Sequence, residues 1–396
     1  MSRVILGVEV IRKQNFAPVK GQRVGLIVNP ASLDSDFVPT ETIFLNTNQV
    51  KLKALFGPQH GIRGETQDNM IEWEGFRDKK TGLPVYSLYG KAREPLPEML
   101  EDIDCLIIDL PDVGTRYYTF IWTMALALKA CSQYGKSCVI LDRPNPINGL
   151  MLEGPMLDVR FSSFVGLYPL PVRHGMTMGE IALYLNQEFS FGCKLMVVPM
   201  EGWRREMWFD DTSLPWVMPS PNMPTLNTAM VYPGMCLLEG TNISEGRGTT
   251  RPFEIFGKPG VDPYDLVKRL QREDLPGVKF RPLYFQPTFN KYQGELCGGA
   301  QLHITDRNAF LPVITGVAVI KTIYQLYPES FAWRLPPYEY EREKLPIDIL
   351  AGTDKLRQQI ESGCSLEAIA QSWQSGQEEF RKRRKPYLLY PGRNGD

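Results

Sequence analysis

Short apolar runs alternate with helical patterns through the first half of the chain. Arg23-Val-Gly-Leu-Ile-Val28 stops at Asn29-Pro30, and Lys51-Leu-Lys-Ala-Leu-Phe56 stops at Gly57-Pro-Gln-His-Gly61. Pro84-Val-Tyr-Ser-Leu-Tyr89 ends at Gly90, Cys105-Leu-Ile-Ile108 runs into Asp109-Leu-Pro-Asp-Val-Gly114, and Ser137-Cys-Val-Ile-Leu141 ends at Asp142-Arg-Pro-Asn-Pro146. Between the last two, Ile121, Met124, Leu128 and Cys131 recur on one helical face. Buried short strands joined by helices predict a parallel sheet with crossover helices. In such sheets ligands bind outside the carboxyl ends of the strands. Asn29, His60, Arg63, Asp109, Asp112, Asp142 and Asn145 are therefore expected on one rim. Asn-Pro and Gly-Pro pairs are also ordinary turn punctuation, so each motif alone is weak.

Further along, Thr177 and Glu180 have capping-box spacing at the start of a helix. That accounts for both residues and leaves Arg173 and His174, just ahead of the cap, without a structural reason. Trp203, Trp208 and Trp216 follow; their rings suit sugar stacking and core packing about equally. Later the pattern changes. Asp262-Pro263 reads as the cap and first residue of a helix reaching about residue 272. A strand at 279–285, an alternating strand at 297–305, and helices near 313–326 and 365–373 complete an α+β unit. The expected organisation is a domain at 1–240 and a smaller one at 241–396.

Composition fits this picture: 396 residues exceed one ordinary core, and 43% hydrophobic with 22% charged residues is globular. The net charge of −1 favours neither nucleic acid nor an anionic membrane. The basic run Arg381-Lys-Arg-Arg-Lys385 reads as a helix end, where cations complement the macrodipole. No segment has the 18 uncharged apolar residues of a membrane span, and the N-terminus lacks signal-peptide features. Seven scattered cysteines without a Cys-x-x-Cys pair read as reduced thiols. The expectation is a cytoplasmic protein with no nucleic-acid or membrane partner.

The stretch with the most chemistry is Leu237-Leu-Glu-Gly-Thr-Asn-Ile-Ser-Glu-Gly-Arg-Gly-Thr-Thr-Arg-Pro252. It carries Glu239, Glu245, Arg247, Arg251, Asn242 and four hydroxyls, Thr249 among them, around three glycines. Glycine lets the backbone turn tightly and approach a ligand, and carboxylates beside guanidiniums suit a polar ligand and acid/base work. A Gly-rich connection that caps neighbouring helices is the plainer reading. The chain has no phosphate-binding Gly-x-x-x-x-Gly-Lys-Ser/Thr loop, no dinucleotide Gly-x-Gly-x-x-Gly after the first strand and no Gly-x-Ser-x-Gly elbow. Its three histidines lack zinc spacing. What remains is a site of carboxylate, Arg, Asn and His that needs no cofactor or metal. It suits hydrolysis of a polar substrate, sugars in particular.

Long motifs then point to a family. Phe56-Gly-Pro-Gln-His-Gly-Ile-Arg-Gly64, Asp109-Leu-Pro-Asp-Val-Gly-Thr-Arg-Tyr-Tyr-Thr-Phe-Ile-Trp122, Asp142-Arg-Pro-Asn-Pro146, Arg173-His-Gly-Met-Thr177, Ser220-Pro-Asn-Met-Pro-Thr225 and the segment from Glu239 to Phe253 resemble exo-β-N-acetylmuramidases of the NamZ type. Tyr292-Gln-Gly-Glu-Leu-Cys-Gly-Gly299 and Lys385-Pro-Tyr-Leu-Leu-Tyr390 extend the likeness over nearly the whole chain. The resemblance implies a Rossmann-like, mostly parallel N-terminal domain, a smaller α+β C-terminal domain and an active cleft between them. It implies release of a terminal, non-reducing β-linked N-acetylmuramic acid from peptidoglycan fragments. A lactyl carboxylate on that sugar would partner Arg63, Arg116, Arg173, Arg247 or Arg251.

On this reading Glu245, Glu239 and Asp109 are the candidate catalytic carboxylates. His60, Arg63, Asp112, Arg116, Asn145, Arg173, His174, Asn222, Asn242, Arg247, Thr249 and Arg251 are the candidate substrate-binding residues. The chain also departs from the family pattern. Pro-Glu-His-Gly stands here as Pro58-Gln-His-Gly61, Ala-Gly-Glu as Asp68-Asn-Met70, and Asp-Ile-Gln as Asp109-Leu-Pro. Gln59 and Met70 motivate two alternatives: a catalytically silent sugar-binding homologue, or an enzyme redirected to another acidic sugar.

Overall fold

The computed structural model describes residues 3–68 and 70–392. The strands, in chain order, are β1 (Arg23–Val28), β2 (Lys51–Gly57), β3 (Phe76–Arg77), β4 (Pro84–Ser87), β5 (Cys105–Asp109), β6 (Ser137–Leu141), β7 (Glu153–Met156), β8 (Pro171–Arg173), β9 (Lys194–Val198), β10 (Ile255–Lys258), β11 (Val278–Phe285) and β12 (Cys297–Ile304). Seven form one sheet in the order β3-β4-β2-β1-β5-β6-β9, parallel except for the edge strand β3. The apolar runs became strands because helices cover both faces. Ile27, Leu106 and Ile108 pack into one core, and Val24, Leu26 and Ile107 into another on the opposite face. The helix Phe120–Gln133 presents Ile121, Met124, Leu128 and Cys131 to the first of these cores.

The C-terminal part holds a smaller antiparallel sheet, β10-β12-β11, with helices packed around it. A three-layer α/β/α architecture followed by a smaller α+β region is thus the observed fold. The expected helix from Pro263 gives way to a 3-10 turn at Gln271–Glu273, and the helix expected at 365–373 spans Leu366–Gln371, capped by the Ser365 hydroxyl. The basic run lies in the last turn of Gln374–Arg384. Among the described residues no helix is long and apolar enough to cross a membrane.

One close approach joins two helices. A Cβ on Gly234 would lie 1.8 Å from the Pro312 carbonyl oxygen, and one on Gly316 would lie 2.2 Å from the Gly234 oxygen. The helices Leu226–Met235 and Pro312–Leu326 therefore meet backbone to backbone, which only glycine allows. This contact fixes where the segment after Met235, with Glu239, leaves the helix.

Candidate active site

A cavity lies between the carboxyl ends of the parallel strands and the C-terminal part. Gln59 and His60, just beyond β2, form one side, and Tyr117, Tyr118 and Thr119, leading into the helix after β5, form the next. Ser220, Asn222, Tyr232, Glu239, Arg247, Phe253, Tyr338 and Glu339 close it from later in the chain. Strand ends thus supply the rim, as the sheet topology requires, and the C-terminal part supplies most of the charge.

Glu239 sits on the 3-10 turn Cys236–Gly240 that continues the helix Leu226–Met235. Beyond it, Gly246 (φ 79°) and Gly248 (φ 78°) take left-handed conformations that reverse the loop. A Cβ on Gly248 would come within 2.5 Å of the Phe289 carbonyl oxygen. The reversal brings two carboxylates to one guanidinium. Arg247 Nη2 donates to Glu239 Oε1 at 2.7 Å, and Arg247 Nε stands 3.2 Å from Glu245 Oε1, an ion pair off the hydrogen-bonding direction. Lys291 Nζ donates to Glu245 Oε2 at 2.9 Å, and Tyr338 Oη donates to Glu239 Oε2 at 2.8 Å. Burial alone would raise the Glu239 pKa. The charge and hydrogen bond of Arg247, with Tyr338 and Lys291, outweigh it and hold the carboxyl below its usual value.

Glu339 behaves oppositely. It is 4% exposed, and its carboxyl receives Tyr89 Oη at 2.9 Å and Gln59 Nε2 at 3.3 Å. Burial dominates and the negative charge of Glu239 adds to it, so the pKa is pushed up to about 7 despite these donors. Glu339 (φ 43°) and Tyr340 (φ 70°) are consecutive non-glycine residues in the left-handed region. Such strain costs on the order of 1–3 kcal/mol per residue and persists where surrounding structure imposes it, functional sites above all. Gln59 bridges the wall: Oε1 accepts from Thr119 Oγ1 at 2.7 Å while Nε2 also donates to Tyr89 Oη at 3.2 Å.

His60 contributes a neutral ring. Its Nδ1 faces the Thr66 carbonyl at 2.9 Å, so Nδ1 carries the proton and Nε2 is the acceptor. Burial, with Arg247 nearby, pushes its pKa down to about 4. Asn222 is anchored to Gln67 by Nδ2 on the carbonyl (2.6 Å) and by Oδ1, which accepts Gln67 Nε2 (3.2 Å). Among the described residues no group of three or more His, Cys, Asp or Glu side chains is arranged to hold a metal ion.

Of the residues singled out from sequence, Glu239, His60, Asn222 and Arg247 line this cavity, with Glu245 one contact behind. The others lie elsewhere. Asp109 is fully buried, gripped by Arg143 through Nε on Oδ1 (2.5 Å) and Nη2 on Oδ2 (2.8 Å), with Thr40 Oγ1 on Oδ2 at 2.5 Å. Arg116 spends its guanidinium on the carbonyls of Pro155, Leu170 and Leu350, and Arg173 bonds the Ile147 carbonyl above the Trp208 ring. Asp112 accepts Gly114 N–H at 2.8 Å, with His174 Nε2 at 3.3 Å. His174 Nδ1 accepts from Met176 N–H (3.2 Å), which places its proton on Nε2. Asn145 staples Met176 O and Ile147 N–H. Asn242 staples Ser330 O and Ala332 N–H. Thr249 caps its own turn at Gly246 O (2.6 Å), Arg251 pairs loosely with Glu254 (3.5 Å), and Arg63 lies over Phe76. The cores of these loops use buried polar groups as scaffolding.

Sequence reading missed Glu339, Tyr338, Tyr89 and Thr119. Nothing in Tyr338-Glu-Tyr-Glu-Arg-Glu343 separates it from a solvated charged segment. Phe56-Gly-Pro-Gln-His did flag position 59, but as a lost acid rather than a partner of another one.

Known proteins resemble the chain over nearly its whole length. The family described as exo-beta-N-acetylmuramidase NamZ, N-terminal, matches residues 24–227, and its C-terminal counterpart matches 230–390. The chain is 48% identical over 388 residues to the peptidoglycan beta-N-acetylmuramidase NamZ of Bacillus subtilis (strain 168), covering 98% of this chain and 92% of that protein. Two crystal structures of DUF1343 family proteins from Bacteroides fragilis NCTC 9343 share the fold. One is 37% identical with a TM-score of 0.89, covering 98% of this chain and 99% of the other. The second is 31% identical with a TM-score of 0.78, covering 99% and 100%.

Proposed function

Because the chain belongs to the NamZ family of exo-β-N-acetylmuramidases, we propose that it hydrolyses the glycosidic bond of a terminal, non-reducing β-linked N-acetylmuramic acid in peptidoglycan fragments. The observation that carries the reading is the placement of two buried carboxyls in one cavity with opposite partners, Glu239 paired with the Arg247 guanidinium and Glu339 meeting the neutral donors Tyr89 and Gln59. These surroundings hold the first carboxyl down and push the second up to about 7. Pairs of carboxyls whose environments drive them apart mark acid and base in glycosidases.

Glu339 is the acid on this reading. Near neutral pH it still holds a proton to give to the leaving oxygen as the C1–O bond breaks. Glu239 supplies the anionic carboxylate toward the positive charge that develops at the anomeric carbon, and water completes the hydrolysis by bonding its oxygen to that carbon and returning a proton to the carboxyl pair. Arg247 and Tyr338 keep it ionised and oriented. Glu245 holds Arg247 and Lys291 and acts through them as a positioning residue. Neutral His60 offers Nε2 to a substrate hydroxyl, and Asn222 a polar edge. Of the five arginines considered for the lactyl carboxylate, Arg247 is the one lining the cavity.

The test is incubation of the purified protein with a chromogenic β-N-acetylmuramide and a muramyl-terminated disaccharide. Free N-acetylmuramic acid is expected from wild type. Glu339→Gln and Glu239→Gln should each lose about 10²–10⁴-fold in kcat, most for the disaccharide with its poorer leaving group. Absence of product from wild type, or undiminished rates in both variants, would sink the assignment.

A further inference from the structure

A cavity of about 560 Å³ sits where the strand order of the parallel sheet reverses. The chain runs outward from β1 to β2 and β4, then returns to lay β5 against the other edge of β1. Ala31 and Leu33 beyond β1, Pro111 and Asp112 beyond β5, and Pro144 beyond β6 line the cavity. It shares no lining residue with the candidate active site. Crevices at such a reversal are where open α/β sheets take ligands.

Five prolines, Pro111, Pro144, Pro146, Pro215 and Pro219, form much of the wall. Proline fixes its backbone and has no N–H, so this wall keeps its shape and offers few donors. Asp112 lies in the same wall with its side chain 3% exposed. Its Oδ2 accepts the Gly114 N–H at 2.8 Å and stands 3.3 Å from His174 Nε2. Its Oδ1 is buried without a hydrogen-bond partner among the described residues. The other charged groups of the lining are already matched. Arg143 grips Asp109 and the Leu33 carbonyl, and Asp34 accepts Arg12.

A buried carboxylate oxygen calls for a donor. From the Asp112 oxygen left over in a proline-walled cavity at the sheet reversal, we infer that this cavity is a second ligand site, built for a small primary amine with an apolar body. The ammonium group sits on Asp112 Oδ1, and the apolar body packs among Leu33, Leu214 and Trp216. The charge balance of the lining selects a cation. Arg143 with Asp109 and Arg12 with Asp34 cancel, which leaves Asp112 to set the sign. Hydrogen bonds from an ammonium to a carboxylate are roughly twice as strong as neutral ones. Apolar walls with a few placed polar groups, enclosing several hundred Å³, are what small-molecule sites are made of. The site needs no sugar and no turnover, so it stands or falls apart from the glycosidase reading.

The probes are benzylamine and ethylbenzene, alike in shape and different in the amine. Trp216 lines the cavity, and its indole N–H donates to the Met223 carbonyl at 3.2 Å. Its indole N–H resonance, assigned by its loss in Trp216→Phe, therefore reports occupancy. In wild type benzylamine should shift that resonance with a Kd of about 1 mM or tighter, and bind about tenfold or more tightly than ethylbenzene. Asp112→Asn keeps the shape. Gly114 and His174 hold the amide oxygen at the Oδ2 position, so the amide N–H groups face the cavity as donors. This variant should weaken benzylamine about tenfold or more and leave ethylbenzene within about twofold. Val217→Trp fills the cavity from a half-buried wall position and should weaken both probes about tenfold or more. An unmoved Trp216 resonance, equal affinity for the two probes in wild type, or a benzylamine affinity that both variants leave intact overturns the inference. If Asp112→Asn does not fold, or loses both probes, two results decide: the wild-type preference for benzylamine and its loss in Val217→Trp. Both together support the site, and the absence of either rejects it.

Discussion

Tyr89 and Glu339, 250 residues apart, meet at 2.9 Å, with the phenol donating to the carboxyl. The bond favours the ionised acid and so works against burial, which raises the Glu339 pKa. The acid is needed protonated, so activity should fall as pH rises through its pKa of about 7. Removing the donor with Tyr89→Phe should raise that pKa by roughly half to one unit, the worth of one hydrogen bond near 1 kcal/mol. The alkaline limb of kcat/KM against pH should move up by that amount. A limb that stays in place would detach it from Glu339.

The same shift has a cost in stability. Glu339 has a folded-state pKa of about 7 against an ordinary 4.5, so the folded protein binds more protons than the unfolded chain between these values. Stability should fall as pH rises through this window, and the penalty is complete above it. At about 1.4 kcal/mol per unit, it amounts to about 3 kcal/mol. Glu339→Gln keeps the shape and removes the charge. It should leave denaturant stability near wild type at pH 4 and exceed wild type at pH 8, while losing activity. Equal pH dependence in variant and wild type would show that Glu339 ionises freely.

Glu245 and Glu239 share Arg247 but differ in what else they touch. Glu239 lines the cavity, whereas Glu245 is 2% exposed and turned to Arg247 and Lys291. Glu245→Gln should therefore lower kcat/KM by about 10–100-fold through a misplaced Arg247, and Glu239→Gln by far more. Removing the Glu245 charge also leaves Lys291 and Arg247 short of a buried counter-ion, so a stability loss of about 2–4 kcal/mol should accompany it. Turnover abolished in Glu245→Gln, in a protein as stable as wild type, would restore Glu245 as a reacting carboxylate.

Much of this was legible in the sequence, and the limits have physical reasons. The parallel strands announced themselves because both faces are covered, so each is a continuous apolar run. The edge strand β9 did not: Lys194-Leu-Met-Val-Val198 alternates exposed and half-buried positions. The two-residue β3 is too short to carry a pattern. Glu239 and Arg247 were visible because they lie eight residues apart in one loop. Glu339 lies 100 positions beyond Glu239, and only three-dimensional burial makes its carboxyl unusual. Arg116 and Arg173 misled for the reverse reason. A guanidinium in a motif rich in Gly and Thr resembles a ligand clamp, yet in the fold each satisfies buried carbonyls.

Gln59 stands where the resemblance leads us to expect glutamate, and its amide joins Glu339 to Thr119. Restoring the carboxyl with Gln59→Glu would set two acids against each other in a buried wall. Like charges so placed cannot both ionise, and the pair shares a proton. The amide donor, which favours ionised Glu339, is lost at the same time. Both effects act in one direction, so the alkaline limb of the pH profile should rise by about one unit or more, with kcat at the optimum within about tenfold of wild type. If Gln59→Glu instead raises kcat about a hundredfold or more at the optimum, position 59 is the natural seat of the acid. Glu339 would then be its partner, and the amide in this chain a brake on the reaction.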